Sequence, residues 1–197
     1  MLKKIPYFFL PLLVSIGVEL LFFNFDVVQL RMASAQMRVY HLEDFQYQNW
    51  EKTDAFMISG LDPMLYIDDV DMDIYSLDIH IQATPMPVQC TFFYTNETGE
   101  VFSAEKMQFL PITDGNASIS FPEGEEIIAF RLDLGEDAGI ALDSISAIVN
   151  DTSWHVSIAR LVAMLVIYWG AKGLMGLQKS PDYGLGTKNQ EKHTDES

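Results

Sequence analysis

The sequence predicts a mainly β protein: an antiparallel β-sandwich, jelly-roll-like, flanked by two transmembrane helices. Three observations lead there. Two apolar segments stand near the two ends of the 197 residues, the stretch between them alternates apolar and polar side chains, and turn-forming residues punctuate it at short intervals. A net charge of −16 and one cysteine, Cys90, narrow the class further. The acidic balance argues against a nucleic-acid surface, which needs clustered Lys and Arg to displace counterions. A lone thiol permits neither an internal disulfide nor a zinc site built from several thiolates.

The first element is a transmembrane helix within residues 1–24. Residues 5–23 form a 19-residue apolar run interrupted only by Pro6, Pro11, Ser15, Gly17 and Glu19. A spanning helix needs about 20 such residues. Lys3 and Lys4 ahead of the run also suit a signal peptide, with Ala33-Ser34-Ala35 as its cleavage site. That site lies ten residues past Phe23, beyond Asp26 and Arg31, and Glu19 is foreign to a signal, so a retained anchor is expected. The second helix is expected at 158–178, around the uncharged run 161–171. Arg160 and Lys172 at its edges can snorkel to the headgroups, and Tyr7 and Trp154 are interfacial types. Gly170, Gly173 and Gly176, with Ala163 and Ala171, offer small residues for close packing on the first span or on another membrane protein.

Orientation follows from the basic residues. Lys3 and Lys4 precede the first span, and Lys172, Lys179, Lys188 and Lys192 lie at or beyond the end of the second. The positive-inside rule puts both termini in the cytoplasm, the chain in the plasma membrane with the lipid bilayer as a partner, and residues 25–157 outside. Residues 179–197 are almost wholly polar and read as a flexible cytoplasmic tail. The outer segment carries 23 acidic and 5 basic residues, a net charge of −18. In this topology Glu19 and Arg160 fall at matching depth, each about 5–6 Å of helix rise inside the outer boundary. An isolated charge in hydrocarbon costs several kcal/mol, so the two either pair within a helical hairpin or reach the headgroups separately.

The middle, 25–157, reads as one sandwich. Leu77, Ile79 and Ile81 alternate with Asp78, His80 and Gln82; Phe130, Leu132 and Leu134 alternate with Arg131 and Asp133. Each set is a strand with one buried and one wet face. The β-rich residues 91–94, the turn Asn96-Glu97-Thr98-Gly99 and residues 101–110 form an expected hairpin. Asp114-Gly115, Glu123-Gly124 and the glycines at 135 and 139 mark further turns. Residues 32–50 are ambiguous, with Met37-Arg38-Val39-Tyr40 as a candidate first strand.

No motif specifies a reaction. Asp68, Asp69, Asp71 and Asp73 invite a calcium site, because hard cations prefer carboxylate oxygens. As an EF-hand loop starting at Asp69 the pattern fails, with Ile74 at position six and His80 at position twelve. The competing reading is a strand with Asp69, Asp71 and Asp73 on its wet face. His41, His80, His155 and His193 are scattered, without HxH or HExxH spacing, and no GxSxG marks a serine nucleophile. Cys90 sits in an expected strand and reads as core. Carboxylate pairs for glycoside hydrolysis are not distinguishable among 23 acids. Trp50, Tyr47, Tyr66, Tyr75 and Tyr94 would stack on sugar rings if they faced outward, but aromatics of a sandwich usually fill its core. Asn96, Asn116 and Asn150 each begin an N-glycosylation sequon. No cofactor is expected.

The layout resembles a bacterial arrangement. Glu19 and then Phe23-Asn24 close the first span, and Val149-Asn150 and Arg160 lead into the second. Ile58-Ser59-Gly60-Leu61-Asp62-Pro63, Arg131-Leu132-Asp133, Gly139 and Asp143-Ser144-Ile145 are similar to strand segments between them. Together these resemble the extracytoplasmic sandwich between the first two transmembrane helices of polytopic surface-glycan assembly proteins, glycosyltransferases included. The further spans and catalytic loops of that family have no counterpart in these 197 residues, so no catalytic residue carries over. The resemblance implies an anchored, non-catalytic ectodomain that binds glycan or serves a membrane glycosyltransferase or other polytopic partner as an accessory subunit. The alternatives are a membrane receptor or sensor with an acidic ectodomain, and a surface hydrolase.

Overall fold

The computed structural model describes residues 9–135 and 138–177. Lys3, Lys4, Tyr7 and the expected tail, with Lys179, Lys188, Lys192 and His193, lie outside the described residues. In chain order the elements are α1 (Phe9–Leu21), α2 (Phe25–Met32), β1 (Arg38–His41), β2 (Gln46–Lys52), β3 (Met57–Ile67), β4 (Met72–Thr84), β5 (Gln89–Thr95), β6 (Met107–Pro111), β7 (Asn116–Ile127), β8 (Ala129–Asp133), β9 (Ala141–Val149) and α3 (Ile158–Leu177). They fall into two compact units, Met1–Phe23 with Val156–Ser197, and Asn24–His155.

The second unit is mainly β, and every strand pair in it is antiparallel. One sheet runs β6-β5-β8-β3-β9-β4-β7, with β1 added beside β9 and β2 beside β3. The expectation of two separate sheets is thus refined to one sheet that turns back on itself. The turn lies in β3, which pairs with β9 at Met57 and Ile58 and with β8 from Met64 to Ile67. Between them Gly60, Leu61, Asp62 and Pro63 stand opposite the single residue Asn49 of β2. Asn49 (φ 62°) and Asp62 (φ 52°) are left-handed, and Asn49 Nδ2 donates to Asp62 O at 2.9 Å. Extra residues on one strand bend it and raise its twist. The bend lets rings of β5 and β8 face rings of β1 and β7: Phe92 lies 5.8 Å from Phe130 and 6.4 Å from Phe121, and Tyr40 lies 5.8 Å from Phe130.

The alternation expected for β4 and β8 is present: Leu77, Ile79, Ile81, Phe130, Leu132 and Leu134 are all buried. In β9 the buried residues step from Leu142 to Ile145, because the register shifts between Gln82↔Ser144 and Ala83↔Leu142 and leaves Asp143 as an extra residue. The hairpin β5–β6 forms, but its second strand starts at Met107 rather than at Val101. Glu100 accounts for the longer connection: its carboxylate accepts from Asn96 N at 2.8 Å and pairs with Lys106 Nζ at 2.6 Å. Cys90 is buried in β5, where burial pushes its thiol up to about 12, so it stays an inert core residue. Helix α2 was not expected; Val27 and Leu30, one turn apart, are its buried residues.

In the first unit, α3 is the one described helix that by itself is long and apolar enough to cross a membrane, and none of its stretch Ile158–Met175 is buried. The described part of α1 has 13 residues and passes the same test only when counted with α2. Of the two arrangements open to Glu19 and Arg160, the helices adopt the pair. The Glu19 side chain, 1% exposed, accepts from Arg160 Nη2 at 2.6 Å, from Arg160 Nε at 3.1 Å and from Ser157 N at 2.8 Å. Arg160 also lies 4.8 Å from the centre of the Phe23 ring. Of the small residues expected to allow close packing, Gly170 and Gly173 do not touch the other helix: a Cβ built on either would meet nothing within 4 Å.

Candidate functional site

The outward face of β4 supplies the site. Alternation that buries Leu77, Ile79 and Ile81 turns Ser76, Asp78, His80 and Gln82 the other way. The register then sets polar neighbours beside them. His41, Ser146, His80 and Asn116 form one row across β1, β9, β4 and β7; Asp78 faces Ser118, Gln82 faces Ser144, and Ser76 faces Ser120. Neighbouring strands lie about 4.8 Å apart, so such a row spans roughly 14 Å.

Three open hollows adjoin along this face. The largest, about 570 Å³, lies between α2 and the strands and is lined by Asp26, Gln29, Tyr75, Asp78, Asp151 and His155, among others. A second of about 350 Å³ shares Asp78 and Ser118 with it, and a third of about 390 Å³ shares His80 and Asn116 with the second. Together they form a groove that sets hydroxyl, amide, imidazole and carboxylate groups among apolar side chains, the largest hollow being lined also by Leu30, Met32, Ala33, Phe121 and Pro122.

Two glycines shape its walls. Gly115 (φ +77°) tops the turn beside β4, where an added Cβ would lie 2.6 Å from Ile81 O. Gly124 (φ +81°) lies under Tyr75, whose ring atoms would be 2.8 Å from such a Cβ. Tyr75 is thereby set at the α2 end of the groove. The frame behind it is held by Asn150, which is fully buried: its Oδ1 accepts from Tyr75 N at 2.7 Å and Ser76 N at 3.2 Å, and its Nδ2 donates to Asp73 O and Gln36 O.

Charge along the groove is negative. Burial lifts the Asp78 carboxyl above its ordinary range, and the Asp151 and Asp26 carboxylates add to this against His80 and His155. Burial also pushes the Asp151 carboxyl up, but bonds from Ser153 and the nearby His155 hold it below the usual range. Asp151 Oδ1 accepts from Ser153 N at 2.8 Å, and its Oδ2 lies 3.4 Å from His155 Nε2.

The opposite outward face, on β5 and β8, is filled. The Arg131 guanidinium lies 4.1 Å from the Phe93 ring centre and 5.5 Å from that of Phe102, and Nη2 donates to Asp133 Oδ2 at 2.8 Å. Burial raises the Asp133 carboxyl despite this partner. Arg131 Nε and Asp133 Oδ1 are enclosed without a hydrogen-bond partner.

The residues singled out in the sequence are dispersed. Glu19 and Arg160 meet in the helical unit. The calcium site considered at Asp68, Asp69, Asp71 and Asp73 is not assembled, and among the described residues no three His, Cys, Asp or Glu side chains are placed to hold a metal ion. The physical reason is local: Asp69 (φ 56°) and Asp71 (φ 44°) turn the chain before β4 begins at Met72, Asp68 accepts from Gln46 Nε2 at 3.0 Å, and all four carboxylates are exposed. The same two left-handed residues also replace the strand expected over them. Of the aromatics, Trp50 and Tyr94 pack on the core, Tyr75 lines the groove, and Tyr47 is exposed beside a separate hollow of about 370 Å³. Asn150 is enclosed and fully bonded, so its sequon is closed to a transferase in the folded chain. Three histidines scattered in the sequence, His41, His80 and His155, line one groove. The alternation of β4 marked His80 and Gln82 as outward; no signal in the sequence brought His41, Ser144, Ser146 or Asn116 beside them.

No protein-family model matches the chain, and no curated protein matches it by sequence. Among solved structures, a low affinity xylan binding module, CBM86, from the gut symbiont Roseburia intestinalis is similar with a TM-score of 0.40 and 12% identity, covering 58% of this chain and 96% of that one. An exo-beta-1,3-galactanase from Phanerochaete chrysosporium is similar with a TM-score of 0.28 and 12% identity, covering 57% of this chain and 29% of that one.

Proposed function

We propose that the chain is a membrane-anchored, non-catalytic glycan-binding protein that serves cell-surface glycan assembly as an accessory subunit. The observation that carries the reading is the groove on β4. Its hydroxyl, amide, imidazole and carboxylate groups offer the repeated hydrogen bonds that a polyhydroxylated ligand demands, and Tyr75 with the apolar lining of the largest hollow adds a surface for the face of a sugar ring at one end. The resemblance of 19–171 to the outer segment of glycan-assembly proteins points the same way and supplies the partner, a polytopic membrane enzyme.

The anchor rests on the helical unit. An apolar helix in a soluble core would be buried, whereas no residue of Ile158–Met175 is. The pair Glu19–Arg160 supplies the mutual neutralisation that two charges need in hydrocarbon. In this reading both termini are cytoplasmic and residues 25–157 face outward.

Full-length protein in lipid nanodiscs on a glycan array tests the binding role. Retention of at least one oligosaccharide class is expected, with a loss of tenfold or more in a His80→Ala, Asn116→Ala double variant that still unfolds cooperatively. An empty array, or binding indifferent to the double variant, overturns the role assigned to the groove. Protease added to right-side-out vesicles checks the topology: digestion of 25–157 with both ends spared is expected.

A further inference from the structure

Resting on that reading, the groove also specifies the charge of its ligand. We infer that it selects uncharged glycans by accepting their hydroxyl protons, and excludes glycans that carry carboxylate, sulfate or phosphate groups.

The first support is where the cations are. Residues 25–157 hold five Lys and Arg, and none lines the three hollows. Arg31 donates to Thr152 O at 3.1 Å and lies 5.1 Å from the centre of the Trp154 ring. Arg38 donates to Val70 O and the Tyr40 hydroxyl, Lys106 pairs with Glu100, and Arg131 pairs with Asp133. Lys52 lines the separate hollow beside Tyr47. A site for acidic sugars would place a guanidinium or ammonium where the acid lands. This groove places Asp26, Asp78 and Asp151 there.

The second support is the direction of the hydrogen bonds. Asn116 Nδ2 donates to Asp114 O at 3.0 Å, which turns its Oδ1 toward His80 Nδ1, 2.5 Å away. An amide oxygen only accepts, so His80 donates from Nδ1, and the neutral form of the ring then presents Nε2 as an acceptor. Asp78, with no hydrogen bond or ion pair of its own among the described residues, is a second acceptor two residues away on the same face. Acceptors held in this way are matched by O–H groups and repel anionic oxygens.

Matched oligosaccharide pairs that differ only in charge test the inference: galacturonan oligomers against their methyl esters, and hyaluronan oligomers against their carboxyl-reduced forms, each titrated onto full-length protein in nanodiscs. The neutral member of a pair is expected to bind at least tenfold more tightly at low ionic strength. The preference should shrink as salt screens the carboxylates, and fall at least threefold in Asp78→Asn. An acidic member that binds as well as its neutral partner, or a preference unmoved by Asp78→Asn, overturns the charge selection while the glycan-binding reading stands. Failure of both members of every pair on a protein that also leaves the glycan array empty overturns that reading itself.

Discussion

The two outward faces of the β unit start from the same ladder geometry and end differently. On β8, Arg131 and Asp133 stand two residues apart on one face, pair at 2.8 Å, and are covered by Phe93 and Phe102. On β4, Asp78 and His80 stand two residues apart in the same way, yet no Lys or Arg among the described residues joins them, and open hollows remain above. Burial raises both carboxyls, but only Asp133 has a guanidinium to oppose it. A counter-charge with an aromatic cover closes a face and makes it structural. A face without them keeps its polar atoms for something else.

The comparison breaks most readily behind the groove. Asn150→Ala strips the partner from the N–H groups of Tyr75 and Ser76 and from the carbonyls of Asp73 and Gln36, and with about 1 kcal/mol or more for each enclosed N–H a loss of about 2–3 kcal/mol is expected in urea unfolding. Next comes the filled face. Arg131→Ala leaves Asp133 enclosed without its partner and strips the cover from Phe93, for an expected loss of about 2–3 kcal/mol. The groove floor should be nearly silent by the same measurement: Asp78→Asn is expected to gain about 0.5 kcal/mol or less at neutral pH, since it removes a half-exposed carboxylate that no Lys or Arg pairs with among the described residues. A large loss on Asp78→Asn would erase the distinction between the faces.

Acidification sharpens the same distinction at smaller scale. A raised folded value means the native state holds the Asp78 proton more tightly than the unfolded chain does. Its contribution therefore grows as pH falls through that raised value and is complete below the ordinary value, about 3.9. Wild type minus Asp78→Asn should become more favourable to wild type on lowering the pH from 7 to 4, in paired thermal scans. Glu100 runs the other way: Lys106 holds it below its ordinary range, so its contribution is present at neutral pH and is lost as pH falls. The paired difference cancels that background.

Much of the fold was legible because it depends on local alternation. Leu77, Ile79 and Ile81, or Phe130 and Leu132, announce a buried face whatever strand lies beside them. The hairpin of β5 and β6 was legible for the same reason, although the hold of Glu100 on Asn96 and Lys106 delayed its second strand. Helix α2 was missed because eight residues with two buried positions make a weak periodic signal beside a long apolar run. The candidate site was the least legible part. His41 and His80 are 39 positions apart, and only the pairing of both with Ser146 sets them in one row.

By itself the sequence determined the segregation of the chain: apolar runs near both ends, an acidic and β-patterned middle, and which side of β4 stays wet. Those are properties of neighbours along the chain, where side-chain period and transfer energy act directly. The tertiary structure decided the rest. It bent β3 at Gly60–Pro63 to fold one sheet on itself, joined Glu19 to Arg160, and laid serines and histidines from four strands along one groove. Such placements depend on register between distant strands, and register is set by the whole core finding one arrangement that buries every inward side chain at once.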